Sequence, residues 1–214
     1  MEPPIHSVVL QDHLAGTPRW LLFHRPTAVI TSRRLSKVVD CLRQVETETA
    51  RGLYAAGFLS YEASAAMDRA YEVHPAQAVP LIWFGLYDRY EIITLPELKT
   101  NAVHLSGWEP SVSSIDYRAS IAEIKRRIER GDTYQVNYTF RLRSAFRGNP
   151  WALFLELNKA QRCRYSAYLH LGRHHICSVS PELFFSLKHG DLTCKPMKGT
   201  AKRGATSAQD RDQE

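Results

Sequence analysis

The run Leu81-Ile82-Trp83-Phe84-Gly85-Leu86-Tyr87 is apolar at odd and even positions alike. Successive side chains of an extended strand point to opposite faces, so both faces of this one need cover. A chain carrying it must set the strand inside a sheet and pack further layers on each side. At 214 residues, with 44% hydrophobic and 23% charged, the chain can supply those layers.

Around that run the pattern alternates between strand-like and helical spacing. Trp20-Leu21-Leu22-Phe23 and Val29-Ile30 read as strands. Apolar residues at Leu35, Val38, Val39, Leu42 and Val45 predict a helix over 34–51 that Gly52 stops. Residues 54–60 read as a buried strand in which Gly57 admits a close backbone neighbour. The Ala-rich stretch 63–71 predicts a helix, and 90–95 a continuation of the sheet. Residues 96–116, with Pro96, Pro110 and several serines, read as a connection. The clearest helix follows. Ser114 or Asp116 caps it, Ile121, Ile124 and Ile128 form its stripe, and Gly131 ends it. Residues 134–143 alternate apolar with polar side chains and predict a strand. Pro150 opens a third helix with Leu153, Phe154 and Leu157 inward. Short strands at 165–171, 176–179, 183–187 and 192–194 turn at Gly172 and Gly190. Strands in runs, separated by a few long helices, give an α+β class. Two regions are expected, 1–110 and 111–214.

Twenty-eight Lys+Arg against 22 Asp+Glu leave a net charge of +6, which suits an acidic small substrate as well as nucleic acid. Lys125-Arg126-Arg127 lies in helical spacing beside Glu123 and Glu129 and reads as a solvated face. No zinc-finger, homeodomain or RNP pattern is present, so no nucleic-acid partner is expected. Cys41, Cys163, Cys177 and Cys194 form no C-x-x-C pair and read as reduced, mostly buried thiols. No run is long enough to span a membrane and no apolar leader precedes the first strand, so no membrane partner is expected and the cytoplasm is the expected location. His174-His175 read as turn residues, because neighbours on a strand point to opposite faces and do not chelate together.

Three segments carry candidate chemistry. Glu182, in Ser180-Pro181-Glu182, opens an apolar strand. A carboxyl there would be partly desolvated, favouring the protonated form that a general acid needs; the alternative is a solvated strand-edge glutamate. Lys198 lies in Lys195-Pro196-Met197-Lys198-Gly199-Thr200, with Lys202 and Arg203 close behind. Neighbouring cations favour a neutral, nucleophilic amine; the alternative is a basic loop that binds an anion or nothing. Gly199 and Thr200 offer backbone N–H groups and a hydroxyl to a carboxylate. Gln135 and Asn137, in Gly131-Asp132-Thr133-Tyr134-Gln135-Val136-Asn137, would share one strand face, toward a cavity or toward water.

Together these segments resemble the chorismate-binding enzymes, which include the large subunits of anthranilate and aminodeoxychorismate synthases and the isochorismate and salicylate synthases. The resemblance covers nearly the whole chain. Gly57-Phe58-Leu59-Ser60-Tyr61-Glu62-Ala63 and Trp83-Phe84-Gly85-Leu86-Tyr87 are typical of one aminodeoxychorismate synthase branch, and the segment from Lys195 to Gly204 is the most specific of all. The resemblance implies the N-terminal half of a large α+β sandwich of two sheets with helices outside. It implies chorismate as substrate, Lys198 as the nucleophile that displaces the 4-hydroxyl, and Glu182 as the acid that protonates it. Gly199, Thr200 and Gln135 fall at substrate-binding positions. Isochorismate synthases carry a water-activating lysine where Gln135 stands, so water attack is disfavoured. Anthranilate synthases usually carry alanine where Lys198 stands.

The resemblance further implies Mg2+, with its glutamate ligands expected beyond residue 214, and a glutamine amidotransferase subunit as partner. Half a sandwich would leave sheet edges and an apolar inner face uncovered, so the chain alone is expected to be inactive and poorly soluble or partly molten. Two other readings stand beside this one, an anthranilate synthase-like enzyme and a non-catalytic module that binds the amidotransferase or tryptophan. The family's Leu-Leu-Glu-Ser tryptophan pattern is missing; Leu21-Leu22-Phe23-His24 stands nearby.

Overall fold

The computed structural model describes residues 2–13, 17–75, 78–97 and 103–196. The strands ahead of residue 98 are β1 (Ser7–Asp12), β2 (Arg19–Phe23), β3 (Ala28–Ser32), β4 (Tyr54–Leu59), β5 (Ile82–Tyr87) and β6 (Glu91–Ile93). Next come β7 (Val103–Leu105), β8 (Glu109–Pro110), β9 (Leu142–Arg143) and β10 (Phe146–Gly148). The last four are β11 (Tyr165–His170), β12 (His175–Ser180), β13 (Leu183–Lys188) and β14 (Asp191–Lys195). Three α-helices accompany them, α1 (Leu35–Ala50), α2 (Ser114–Glu129) and α3 (Pro150–Gln161). Every described pairing is antiparallel. In space the chain groups into two compact units, Met1–Glu97 with Phe154–Glu214, and Leu98–Leu153.

The first unit is layered. Its larger sheet runs β12-β11-β1-β2-β6 and its smaller one β3-β5-β4. Register sorts the side chains of β1 by face. Val8 lies opposite Leu169 and Phe23, whereas Val9 lies opposite Tyr168 and Leu22. Val8, Leu21, Phe23 and Leu169 form one buried cluster with Ala56, Trp83 and Tyr87 of the smaller sheet. On the other face, Phe154 of α3 packs against Trp20 and Tyr168, ring centroids 6.0 and 5.7 Å away. Strand β5 is central, as its two-faced apolar pattern requires. Beyond Trp83 and Tyr87 on one side, Ile82 on the other joins Val38 of α1, Ala63 and Leu81 in a second buried cluster.

Gly57 sits where close backbone approach demands it, since a methyl built there would lie 2.7 Å from Phe84 Cα and closer still to the Trp83 carbonyl. Gly52 ends α1 with a φ of 101°, a value that suits glycine.

Several local expectations give way. Residues 63–71 hold no α-helix; a short 3-10 helix, Tyr61–Ala66, ends where Asp68 Oδ1 accepts the Ala70 N–H at 2.8 Å, an Asx turn that competes with helical pairing. Strand β6 leaves the sheet of β5 and pairs with β2 instead. The connection 96–116 contains β7, which pairs with β10, and β8, which pairs with β9. Helix α2 is capped one residue early by Ser113, whose Oγ accepts the Asp116 N–H at 3.1 Å and donates to its carboxylate. Residues 134–143 are a strand only at Leu142–Arg143.

The basic run of α2 is a solvated face as expected. Hydrogen bonds from Arg126 and then Arg127 hold Glu123 below the ordinary carboxylate range. No described helix is long and apolar enough to cross a membrane.

The four cysteines are free, but none is fully buried: Cys41, Cys163 and Cys177 are half-buried and Cys194 is exposed. Burial pushes the Cys177 thiol up to about 11. The thiolate is the reactive form, so at pH 8 a disulfide reagent is expected to label Cys194 first and to spare Cys177 until the protein unfolds. Peptide mass mapping after short exposure checks the order.

Candidate functional site

The site motifs that fall among described residues lie on two elements. The first is the β13–β14 hairpin. His189 and Gly190 at its tip have φ values of 53° and 90°, the left-handed pair a tight hairpin turn needs. Leu183 then pairs with Lys195 at the open end. The residues just ahead of β13 form a serine turn: Glu182 N–H donates to Ser180 Oγ at 3.3 Å, and that hydroxyl donates to the Glu182 carbonyl at 3.2 Å.

This pairing sets Glu182 and Pro196 on one cleft of about 400 Å³, with Ser180, Leu183, Phe184 and Cys194 completing the wall. Lys198, Gly199 and Thr200 lie outside the described residues.

Glu182 is exposed, not partly desolvated as its position after a proline suggested. Desolvation needs a covering layer, and the described residues give this end of the hairpin none; the neighbouring Phe184 is 87% exposed. A larger cleft, about 710 Å³, runs between the end of β1 and the hairpin and is lined by Asp12, His13, Tyr165 and Lys188 among others. Of the described site residues, neither Glu182 nor Gln135 lines it.

The second element is the segment after α2. Gln135 is exposed there on irregular backbone, so Gln135 and Asn137 do not share a strand face. Strand geometry needs a partner for its N–H and C=O groups, and no described strand pairs with residues 133–140. The alternation is spent differently. Tyr138 and Phe140 both turn to Tyr117 of α2, at 5.7 and 5.8 Å, and the Tyr138 hydroxyl donates to Ser120.

A magnesium site would want hard oxygen ligands. Among the described residues, the one three-member cluster of metal-ligating side chains is Glu2, His170 and His175, two imidazoles and one carboxylate. That set does not fit Mg2+. His175 is not a turn residue: it opens β12, and its neighbour in the cluster is His170, not His174. The signal was present in the turn at Gly172, which sets His170 opposite His175 across the β11–β12 hairpin.

A family model described as chorismate binding enzyme matches residues 15–214. The chain belongs to the chorismate-binding enzyme family. It is 37% identical over 105 residues to aminodeoxychorismate synthase component 1 of Klebsiella aerogenes, covering 49% of this chain and 23% of that protein. To the same component of Salmonella typhimurium it is 33% identical over 143 residues, 65% of this chain and 32% of that one. Anthranilate synthase component 1 of Cereibacter sphaeroides is also similar, 30% identical over 121 residues, 56% of this chain and 22% of that one. The chain thus spans a third or less of the length of these relatives.

Proposed function

We propose that this sequence is part of an aminodeoxychorismate synthase large subunit, acting on chorismate and on ammonia delivered by a glutamine amidotransferase subunit in the cytoplasm. Residues 1–110 would be its N-terminal region and 111–214 the first part of its catalytic domain. The observation that carries the reading is the shared cleft: Glu182 and Pro196 face it together, and the Met197-Lys198-Gly199-Thr200 segment follows directly.

In this reading the Lys198 amine attacks ring carbon 2 of chorismate. The ring π electrons shift and the C4–O bond breaks, with Glu182 giving its proton to the departing hydroxyl. Ammonia then bonds to carbon 4, the π electrons return, and the C2–N bond to Lys198 breaks. One hard displacement becomes two easier ones. Gly199 and Thr200 would hold a substrate carboxylate through backbone N–H and hydroxyl groups, and Gln135 would contact substrate without serving as a base toward water. Magnesium, which the family implies, would be held by glutamates outside residues 1–214.

The test is product analysis. Given chorismate, ammonium and magnesium, the protein containing this sequence is expected to form 4-amino-4-deoxychorismate. Lys198→Ala is expected to abolish it, and Glu182→Gln to slow it by about 10²–10⁴-fold. Full activity in Lys198→Ala would exclude the covalent route. Anthranilate and pyruvate as products would favour the other branch, to which the Cereibacter relative belongs.

A further inference from the structure

The N-terminal segment is strapped to the β11–β12 hairpin before any ligand is considered. His6 N–H donates to the His170 carbonyl at 2.7 Å, and Ser7 donates to the Pro4 carbonyl from both its N–H and its hydroxyl, at 3.2 and 2.6 Å. At this strap Glu2 meets the cross-strand pair His170 and His175. One ligand atom from each lies within 4.8 Å of the others, and all three residues are half-buried. The imidazoles stack with ring centroids 4.2 Å apart.

The surrounding hydrogen bonds leave one nitrogen of each ring with a free lone pair. His170 Nδ1 lies 3.1 Å from the Pro3 carbonyl, which can only accept, so Nδ1 carries the proton and Nε2 keeps a lone pair. The Tyr168 hydroxyl donates to Glu2 at 3.3 Å and is thereby left to accept from His175 Nδ1 at 2.8 Å. His175 Nε2 therefore also keeps its lone pair. Histidines that bind metal usually donate their other nitrogen to a carbonyl or oxygen partner in this manner. Tyr168 is itself fully buried against Phe154, so this support does not move freely.

We propose that Glu2, His170 and His175 form a binding site for a borderline transition-metal dication, Zn2+ being the representative ion, that fastens the N-terminal segment to the β11–β12 hairpin. Two imidazoles and a carboxylate suit zinc and its neighbours and disfavour magnesium and calcium. Bonds near 2.0–2.1 Å in a tetrahedron bring ligand atoms to about 3.3 Å, so metal binding requires the three side chains to close from their present spacing and the two rings to unstack. Water completes the fourth position.

The site is tested by titrating Zn2+ into the tag-free chain by calorimetry and by recording the visible spectrum with Co2+. One equivalent of Zn2+ is expected to bind tightly, and Co2+ to show the ligand-field bands of a four-coordinate site. Glu2→Gln, which preserves shape at the chain's edge, and His175→Ala are each expected to weaken Zn2+ at least about tenfold and to erase the bands. His104→Gln, on an exposed strand, is expected to change neither. No uptake at one equivalent by the parent chain, unchanged binding in Glu2→Gln, or loss of the site in His104→Gln would each overturn the proposal.

Discussion

Replacing Gly57 with alanine is expected to cost about 3 kcal/mol, the upper end of overpacking penalties, because the intruding methyl meets backbone and not a movable side-chain end. The atoms in its way are the Trp83 carbonyl oxygen and Phe84 Cα, both on the central strand of the smaller sheet. Neither can yield without breaking the pairing of Gly57 with Phe84 and of its neighbours in β4 and β5. Urea unfolding followed by tryptophan fluorescence should show a lower midpoint, and a thermal scan a drop on the order of 6–12 °C. An unchanged midpoint would mean that the two strands stand further apart than described.

Phe154→Ala is expected to be as damaging for the opposite reason. Phe154 has no exposed surface and fills the space between Trp20 and Tyr168. Truncating a phenylalanine in such a place removes its transfer energy and leaves a void, together about 3–5 kcal/mol. Phe184→Ala provides the comparison. With 87% of its surface already exposed, Phe184 has little burial to lose, and its removal should leave the midpoint within about 0.5 kcal/mol. Equal losses in the two variants would contradict the layer order on the α3 face of the larger sheet.

These two sites illustrate what a sequence displays. Strand β5 was legible because an apolar residue at every position has one physical solution, a strand covered on both faces. Gly57 was legible for a related reason, since glycine within a strand marks a place where a side chain would not fit. Residues 134–143 were misread because alternation is local while a strand requires a partner, and their aromatic rings went to Tyr117. Strand β6 was recognised as extended, yet its choice of β2 over β5 depends on where the chain turns at 88–90, which its own residues do not record. Among the site residues, the placing of Glu182 at the start of a strand was legible, but its exposure was not. Exposure depends on what other segments lay over it. Cross-strand partners such as His170 and His175 become visible only when the hairpin turn is located first and its register counted outward.

The middle position of β1 has a consequence for synthesis. Its neighbour on one side, β2, follows within a few residues, but its neighbour on the other, β11, begins at Tyr165. At ordinary translation speeds, roughly ten to thirty seconds separate the two emerging from the ribosome. Throughout that interval Val8, Val9 and Leu10 present an open strand edge that any passing extended peptide could join. A nascent chain stalled before residue 165 would therefore be a natural client for a chaperone at β1, and once residue 170 is free β11 covers that edge.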